Sequence, residues 1–277
     1  MLLPAVTKSK GDLDSLVNKV HHADALDLMR RIPDASIDMV LCDLPYGVTG
    51  LAWDTVIPME LMWAELKRIV KVRSAIVLTA QQPFSSLLVS SNYNGFRYEW
   101  IWQKSRLTRF LDANRMPLLA HEQILVFSKN GGGNAYYPQF DEGKPYKKRQ
   151  PGTVRHIRDE KLKRVDTIND GYRFPNSILN IPVNNDERGL HPTQKPVALF
   201  EYLVKTYTQE GEIVLDMTCG SGTTAVACVR SNRQFICGDL DAGYVNIART
   251  RLANWDPYQA RVVGDGVKQL SLFAGVS

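Results

Sequence analysis

Long apolar runs are missing from this chain of 277 residues. None approaches the ~20 consecutive residues that a membrane-spanning helix requires, so a helical membrane protein is not expected. The opening MLLPAV is apolar for six residues and then turns charged. It lacks the longer apolar region and small-residue cleavage site of a secretion signal, so a cytoplasmic location is expected. Cysteine is scarce. Cys42, Cys219, Cys228 and Cys237 form no C-x-x-C pair and no Cys/His spacing suited to zinc, so neither a disulfide framework nor a metal site is indicated. Internal repeats and low-complexity tracts are absent too. What is left is ordinary globular composition, 44% hydrophobic and 23% charged, enough for a sizeable core.

The net charge is also small, +5, but it is unevenly placed. Between Lys144 and Arg173 ten Lys/Arg stand against four Asp/Glu, so this segment holds more than the whole excess. A local basic surface suits a polyanionic partner, and a merely solvated face fits the same charge run equally well.

Runs rich in β-branched residues alternate with segments of helical period, which points to an α/β fold with a largely parallel sheet. Strands are expected over 36–43, 74–80, 98–103, 123–128, 212–217 and 234–240, and helices over 59–71, 197–208, 223–231 and 243–255. The rhythm stops between Asn130 and Leu190, a stretch with three successive glycines, five prolines and the basic cluster. A segment this long without periodicity is usually functional or disordered rather than a connector, and it is read as an inserted recognition region. It divides the chain into 1–130, an inserted recognition region over 131–190, a second half of the core over 191–256, and a tail over 257–277.

In the second half, EIVLDM runs into TCGSGTT, then a helix opening at Thr223, then QFICGD. Gly220 and Gly222 let the backbone turn sharply and approach a ligand, and the helix N-terminus offers free N–H groups. Asp239 follows the glycines by about 20 residues, the spacing at which an acid on the next strand holds ribose hydroxyls. A nucleoside-type cofactor follows. Spacing alone does not separate S-adenosylmethionine from a dinucleotide, since Ala225 can stand for a third glycine.

In the first half, Asp43 to Gly47 read DLPYG at a strand's end. Asp43 can accept one N–H of a flat, amine-bearing ring, the carbonyl of Leu44, held by Pro45, can accept a second, and Tyr46 can stack on its face. A turn with a packed tyrosine is the plainer reading of these residues alone. Yet DLPYG resembles the D/N/S-P-P-Y/F signature of the amino-methylating DNA methyltransferases whose catalytic motif precedes the cofactor motif. Leu44 replaces the first proline. Four further blocks fall in the family's order: Asp24 to Leu26 with IPDASIDMVLCD, WQK at Trp102, HEQILVFSK at His121, and HPTQKP at His191 leading to VLDMTCGSGTT.

The resemblance implies a Rossmann-like fold with permuted motif order, S-adenosyl-L-methionine as methyl donor, and transfer to an exocyclic amine of double-stranded DNA after base flipping. Catalysis would fall to Asp43, Leu44, Pro45 and Tyr46. Cofactor binding would fall to Asp24, Ala25, His191, Lys195, Asp216, Thr218, Gly220, Ser221, Gly222, Thr223, Asp239 and Leu240, with Thr218 in place of the family's frequent phenylalanine. DNA would meet Lys147, Lys148, Arg149, Arg155 and Arg158. An initial Asp leans to adenine N6. Cytosine N4 is the first alternative, transfer to RNA or a protein glutamine the second, and an inactive DNA-binding regulator the third. The chain contains no Pro-Cys dipeptide, the setting of the nucleophilic cysteine that cytosine-C5 chemistry needs, and Cys42 should point away from Asp43 by strand alternation. Related enzymes are often dimers, so a homodimer is possible. The pentapeptide at Gln269, Leu270, Leu272 and Phe273 (QLSLF) resembles the peptide that docks on the bacterial sliding clamp, which would place the protein in a bacterium or its phage.

Overall fold

The computed structural model describes residues 12–47, 56–148, 153–155, 161–163, 166–183 and 194–254. They fall into two compact units, and the described residues within 12–137 and 177–254 belong to the larger one. Its strands are β1 (Lys19–His22), β2 (Ile37–Asp43), β3 (Val70–Ala80), β4 (Phe96–Thr108), β5 (Leu119–Ser128), β6 (Ile178–Leu179), β7 (Ile213–Asp216) and β8 (Gln234–Asp239). Its helices are α1 (Leu13–Leu16), α2 (Ala25–Arg31), α3 (Met59–Ile69), α4 (Phe84–Ser91), α5 (Val197–Tyr207), α6 (Thr223–Arg230) and α7 (Ala242–Ala253).

The eight strands form one sheet in the order β1-β8-β7-β2-β3-β5-β4-β6. Only β5 runs against its neighbours, β3 and β4, and the other described pairs are parallel. Alternation along β2 supplies two cores. Met39 and Leu41 face the layer of α5 and α6, with Leu203, Tyr207 and Ala225, and Val40 and Cys42 face that of α2 and α3, with Leu28, Met62 and Leu66. Both faces of the central strands are thus apolar, as a helix-covered parallel sheet requires.

The chain builds outward from β2 to β3 on one side and later from β7 to β8 on the other. The β2/β7 junction is therefore a topological switch point, and ligands of open α/β sheets sit at such a crevice beyond the strands' C-terminal ends. Asp43 ends β2 and Asp216 ends β7.

The smaller unit includes Pro138–Asn176. Its described strands pair in antiparallel ribbons: Tyr146–Lys148 with Thr167–Asn169, Asp141–Glu142 with Tyr172–Arg173, and Thr153–Arg155 with Lys161–Lys163. Phe140 packs on Phe174 and Tyr172. The Arg173 guanidinium lies 4.7 Å from the centre of the Tyr146 ring and donates to the Lys144 carbonyl at 2.5 Å. This unit is shorter than the irregular stretch 131–190. Residues on either side belong to the larger unit, where the Ala135 amide donates to the Arg73 carbonyl and the Trp102 indole to the Ile181 carbonyl.

Candidate active site

Asp43 stands at the sheet's edge with both oxygens engaged. Oδ1 accepts the Tyr46 hydroxyl at 2.9 Å and the Thr79 hydroxyl, and Oδ2 accepts the Lys195 ammonium at 2.6 Å. Thr79 is the register partner of Asp43 on β3. The Tyr46 ring packs on Phe84 of α4, centroids 5.1 Å apart. Burial, reinforced by the Asp43 charge, raises the Tyr46 phenol well above its usual range, so it stays a donor.

Lys195 was expected among cofactor ligands. The structure sets its ammonium, 7% exposed, between Asp43 Oδ2 and Glu122 Oε2, the latter at 3.2 Å. Glu122 in turn pairs with Lys104 through Oε1. Burial opposes the Lys195 charge, but Asp43 and Glu122 overcome it and raise the ammonium well above its usual range. For Glu122, burial is outweighed by Lys195 and Lys104, which lower it. The four side chains alternate in sign, from β2 across to β5 and β4.

Beyond β7 the loop turns through Gly220 (φ 49°) and Gly222 (φ 80°), both left-handed. A Cβ on Gly222 would lie 2.8 Å from that of Ala248, so only glycine lets α6 start this close to α7. Asp239 at the end of β8 ties the loop down, with Oδ2 accepting the Gly220 amide at 2.8 Å and Oδ1 the Asp241 amide at 2.9 Å. Asp216 is turned inward, where it accepts the Thr218 amide and the Thr224 hydroxyl, and burial pushes it up to about 7. The Thr218 hydroxyl donates to the Asp43 carbonyl at 3.1 Å, a link from the glycine loop to the end of β2 that phenylalanine could not make.

One cavity of about 480 Å3 joins these parts. It is lined by Asp43, Leu44, Pro45 and Tyr46 at one end and by Asp24, Ala25, Gly220, Thr223, Asp239 and Leu240 at the other, with Lys195, Asp216, Thr218 and Ser221 between. Asp24 also caps α2, accepting the Leu26 and Asp27 amides. Sequence reasoning assigned no role to Thr79, Phe84, Lys104, Glu122 or Gln194. Glu122 and Gln194 line the cavity. The Gln194 side-chain nitrogen is buried without a protein partner among the described residues, a donor suited to a polar ligand there. Lys104 and Glu122 carried no readable signal, since their immediate neighbours Gln103, Ser105, His121 and Gln123 are polar as well.

Cys42 points away from the site. Its thiol approaches the Leu215 carbonyl, and burial raises it well above the usual thiol range. His191, Arg149, Arg158 and the peptide Gln269, Leu270, Leu272 and Phe273 lie outside the described residues, as does the Arg155 side chain.

A family model described as DNA methylase, of the N6/N4 methyltransferases, matches residues 37–250. Among curated relatives, DNA adenine methyltransferase YhdJ of Escherichia coli (strain K12) is 26% identical over 259 residues, covering 86% of this chain and 84% of its own. Type II methyltransferase M.BglII of Bacillus subtilis is 24% identical over 250 residues, covering 84% and 68%. Among solved structures, the M1.HpyAVI complex with S-adenosylmethionine is similar with a TM-score of 0.56 at 23% identity, covering 84% of this chain and 98% of that one. The cytosine-N4-specific PvuII DNA methyltransferase is similar at 0.59 and 15%, covering 93% and 92%. At such identities the solved structures establish the fold.

Proposed function

Because the chain belongs to the N6/N4 DNA methylase family, whose model spans most of it, we propose that it methylates the exocyclic N6 of adenine at a specific sequence in double-stranded DNA. Its cofactor is S-adenosyl-L-methionine, which supplies an electrophilic methyl on a sulfonium. The observation that carries the reading is Asp43 at the end of β2, locked by three donors at the mouth of a cavity that runs to the glycine loop.

The loop at Gly220 and Gly222 gives backbone clearance for the donor, Asp239 offers its remaining lone pairs to the ribose hydroxyls, and Asp24 and Gln194 face its other polar groups. At the other end, a carboxylate accepts about four hydrogen bonds. Tyr46 and Thr79 occupy Oδ1, and Lys195 takes one position on Oδ2. One acceptor position remains on Oδ2, directed by the other three. It takes one N–H of the target amine while the Leu44 carbonyl takes the second. Binding both N–H groups draws the nitrogen lone pair out of the ring and favours the cation-like nitrogen that develops at transfer. The methylated amine is acidic enough to lose its proton without a strong base.

Adenine over cytosine is supported by the initial Asp of DLPYG and by the adenine methyltransferase among the relatives. The test is to incubate the protein with labelled S-adenosylmethionine and plasmid DNA, digest to nucleosides and identify the product by mass spectrometry. N6-methyladenine is expected. N4-methylcytosine would move the target to cytosine, and transfer only to RNA or to a protein glutamine would overturn the DNA reading.

The smaller unit is proposed as the target-recognition region, with its basic residues on phosphates. Lys147 and Lys148 are exposed neighbours on one strand, opposite Ile168 and Thr167, so they point to opposite faces of the ribbon. Neutralising them one at a time should therefore act unequally. The variant on the DNA-facing side is expected to lower the log–log salt slope of DNA binding by about 0.9, and the other to leave it unchanged. An unchanged slope in both would make the cluster a solvated face.

A further inference from the structure

The hairpin joining β4 to β5 carries large apolar side chains in water at the sheet edge that holds Asp43. Register fixes the placement: Asp43 pairs with Thr79, Thr79 with Ile124, and two residues before Ile124 Glu122 pairs with Trp102. β4 runs in the direction of β2, so its C-terminal end leaves the sheet on the catalytic side. Beyond it, Phe110 is 66% exposed and Leu111 is completely exposed, both in the turn Phe110–Asp112. The residue before them, Arg109, holds the left-handed conformation with φ 68°. Arg106, Arg109 and Arg115 are all exposed, and Asp112 is the only acid among residues 105–117.

Two large apolar residues at a turn, ringed by arginines, match neither a core nor an ordinary solvated loop. They match DNA that has been opened. Extracting a nucleotide leaves a gap in the base stack, apolar wedges of the Phe and Leu type occupy unstacked steps, and arginines neutralise the flanking phosphates. We propose that this hairpin tip enters the duplex, with Phe110 and Leu111 filling the space of the extracted base and the three arginines on the backbone beside it. The proposal rests on the base-extraction reading above, and adds an element that senses the hole rather than the base.

The test compares the parent with Phe110→Ala/Leu111→Ala, using fluorescence anisotropy on a labelled duplex, intact or carrying one central abasic site, and single-turnover methylation of plasmid DNA. The parent is expected to prefer the abasic duplex by about tenfold or more, and the variant to lose that preference. Plasmid methylation should fall by at least about tenfold with unchanged cofactor affinity by calorimetry and unchanged melting temperature. The wedge is overturned if the parent shows no preference, if the variant keeps it, or if cofactor affinity falls too. A change in sedimentation on substitution would reassign the patch to a contact between copies and overturn it as well. If the parent methylates no DNA, the catalytic reading fails, while the abasic comparison still decides the wedge.

Discussion

Asp43→Ala is expected to lower methyl transfer to DNA by about 100- to 1000-fold, the scale of removing a group that stabilises the transition state. The cause is the single open acceptor position on Oδ2, the other positions being held by Tyr46, Thr79 and Lys195. Cofactor binding should change little, because Asp239 and Gly220, the residues proposed to meet the cofactor, line the cavity from other strands' ends. Single-turnover transfer and calorimetric titration on one preparation separate the two. Full turnover in the variant would remove Asp43 from the mechanism, and loss of cofactor affinity alongside activity would make its role structural.

Lys195→Met is expected to cost both stability and rate. Substitution leaves Glu122, 8% exposed, and Asp43, 24% exposed, as neighbouring carboxylates without their shared cation. Breaking a buried pair on one side costs about 3–5 kcal/mol, whereas removing both partners is milder, so Lys195→Met/Glu122→Gln should unfold less readily in urea than the single variant. The rate should fall as kcat with cofactor KM nearly unchanged, and Lys195→Arg should recover part of it. Lys195 is raised, so its contribution is fully present below the unfolded lysine value of about 10.4 and lost as pH rises through the folded one. Glu122 is lowered, so its contribution is present above about 4.3 and lost as pH falls through its folded value. The stability difference should therefore be flat from about pH 6 to 9. Equal urea midpoints for parent and single variant would show that the charge chain stabilises nothing.

Much of the central sheet was legible because Ile37–Asp43, Ile213–Asp216 and Gln234–Asp239 are apolar runs bounded by turns or carboxylates. Lys19–His22 and Ala25–Arg31 were not, being too short to show a period. An apolar run also carries no direction, so the reversal of Leu119–Ser128 could not be read from it. The smaller unit begins and ends inside the irregular stretch because the flanks are anchored by backbone bonds, as in the Tyr137 amide donating to the Thr206 carbonyl, and composition does not report those. The glycine loop and DLPYG were visible as local motifs. The ammonium that orients Asp43 was not, since that contact joins residues 152 apart in the chain.

The cavity that runs from Asp43 to the glycine loop is lined unevenly in charge. Five carboxylates, Asp24, Asp43, Glu122, Asp216 and Asp239, face it against one ammonium, Lys195. Even with Asp216 protonated the balance is anionic. Such an interior retains a cationic sulfonium more firmly than the neutral thioether left after transfer. The methyl donor is therefore expected to bind more tightly than the spent cofactor in calorimetric titration, and equal affinities would show that the cavity's charge does not set release.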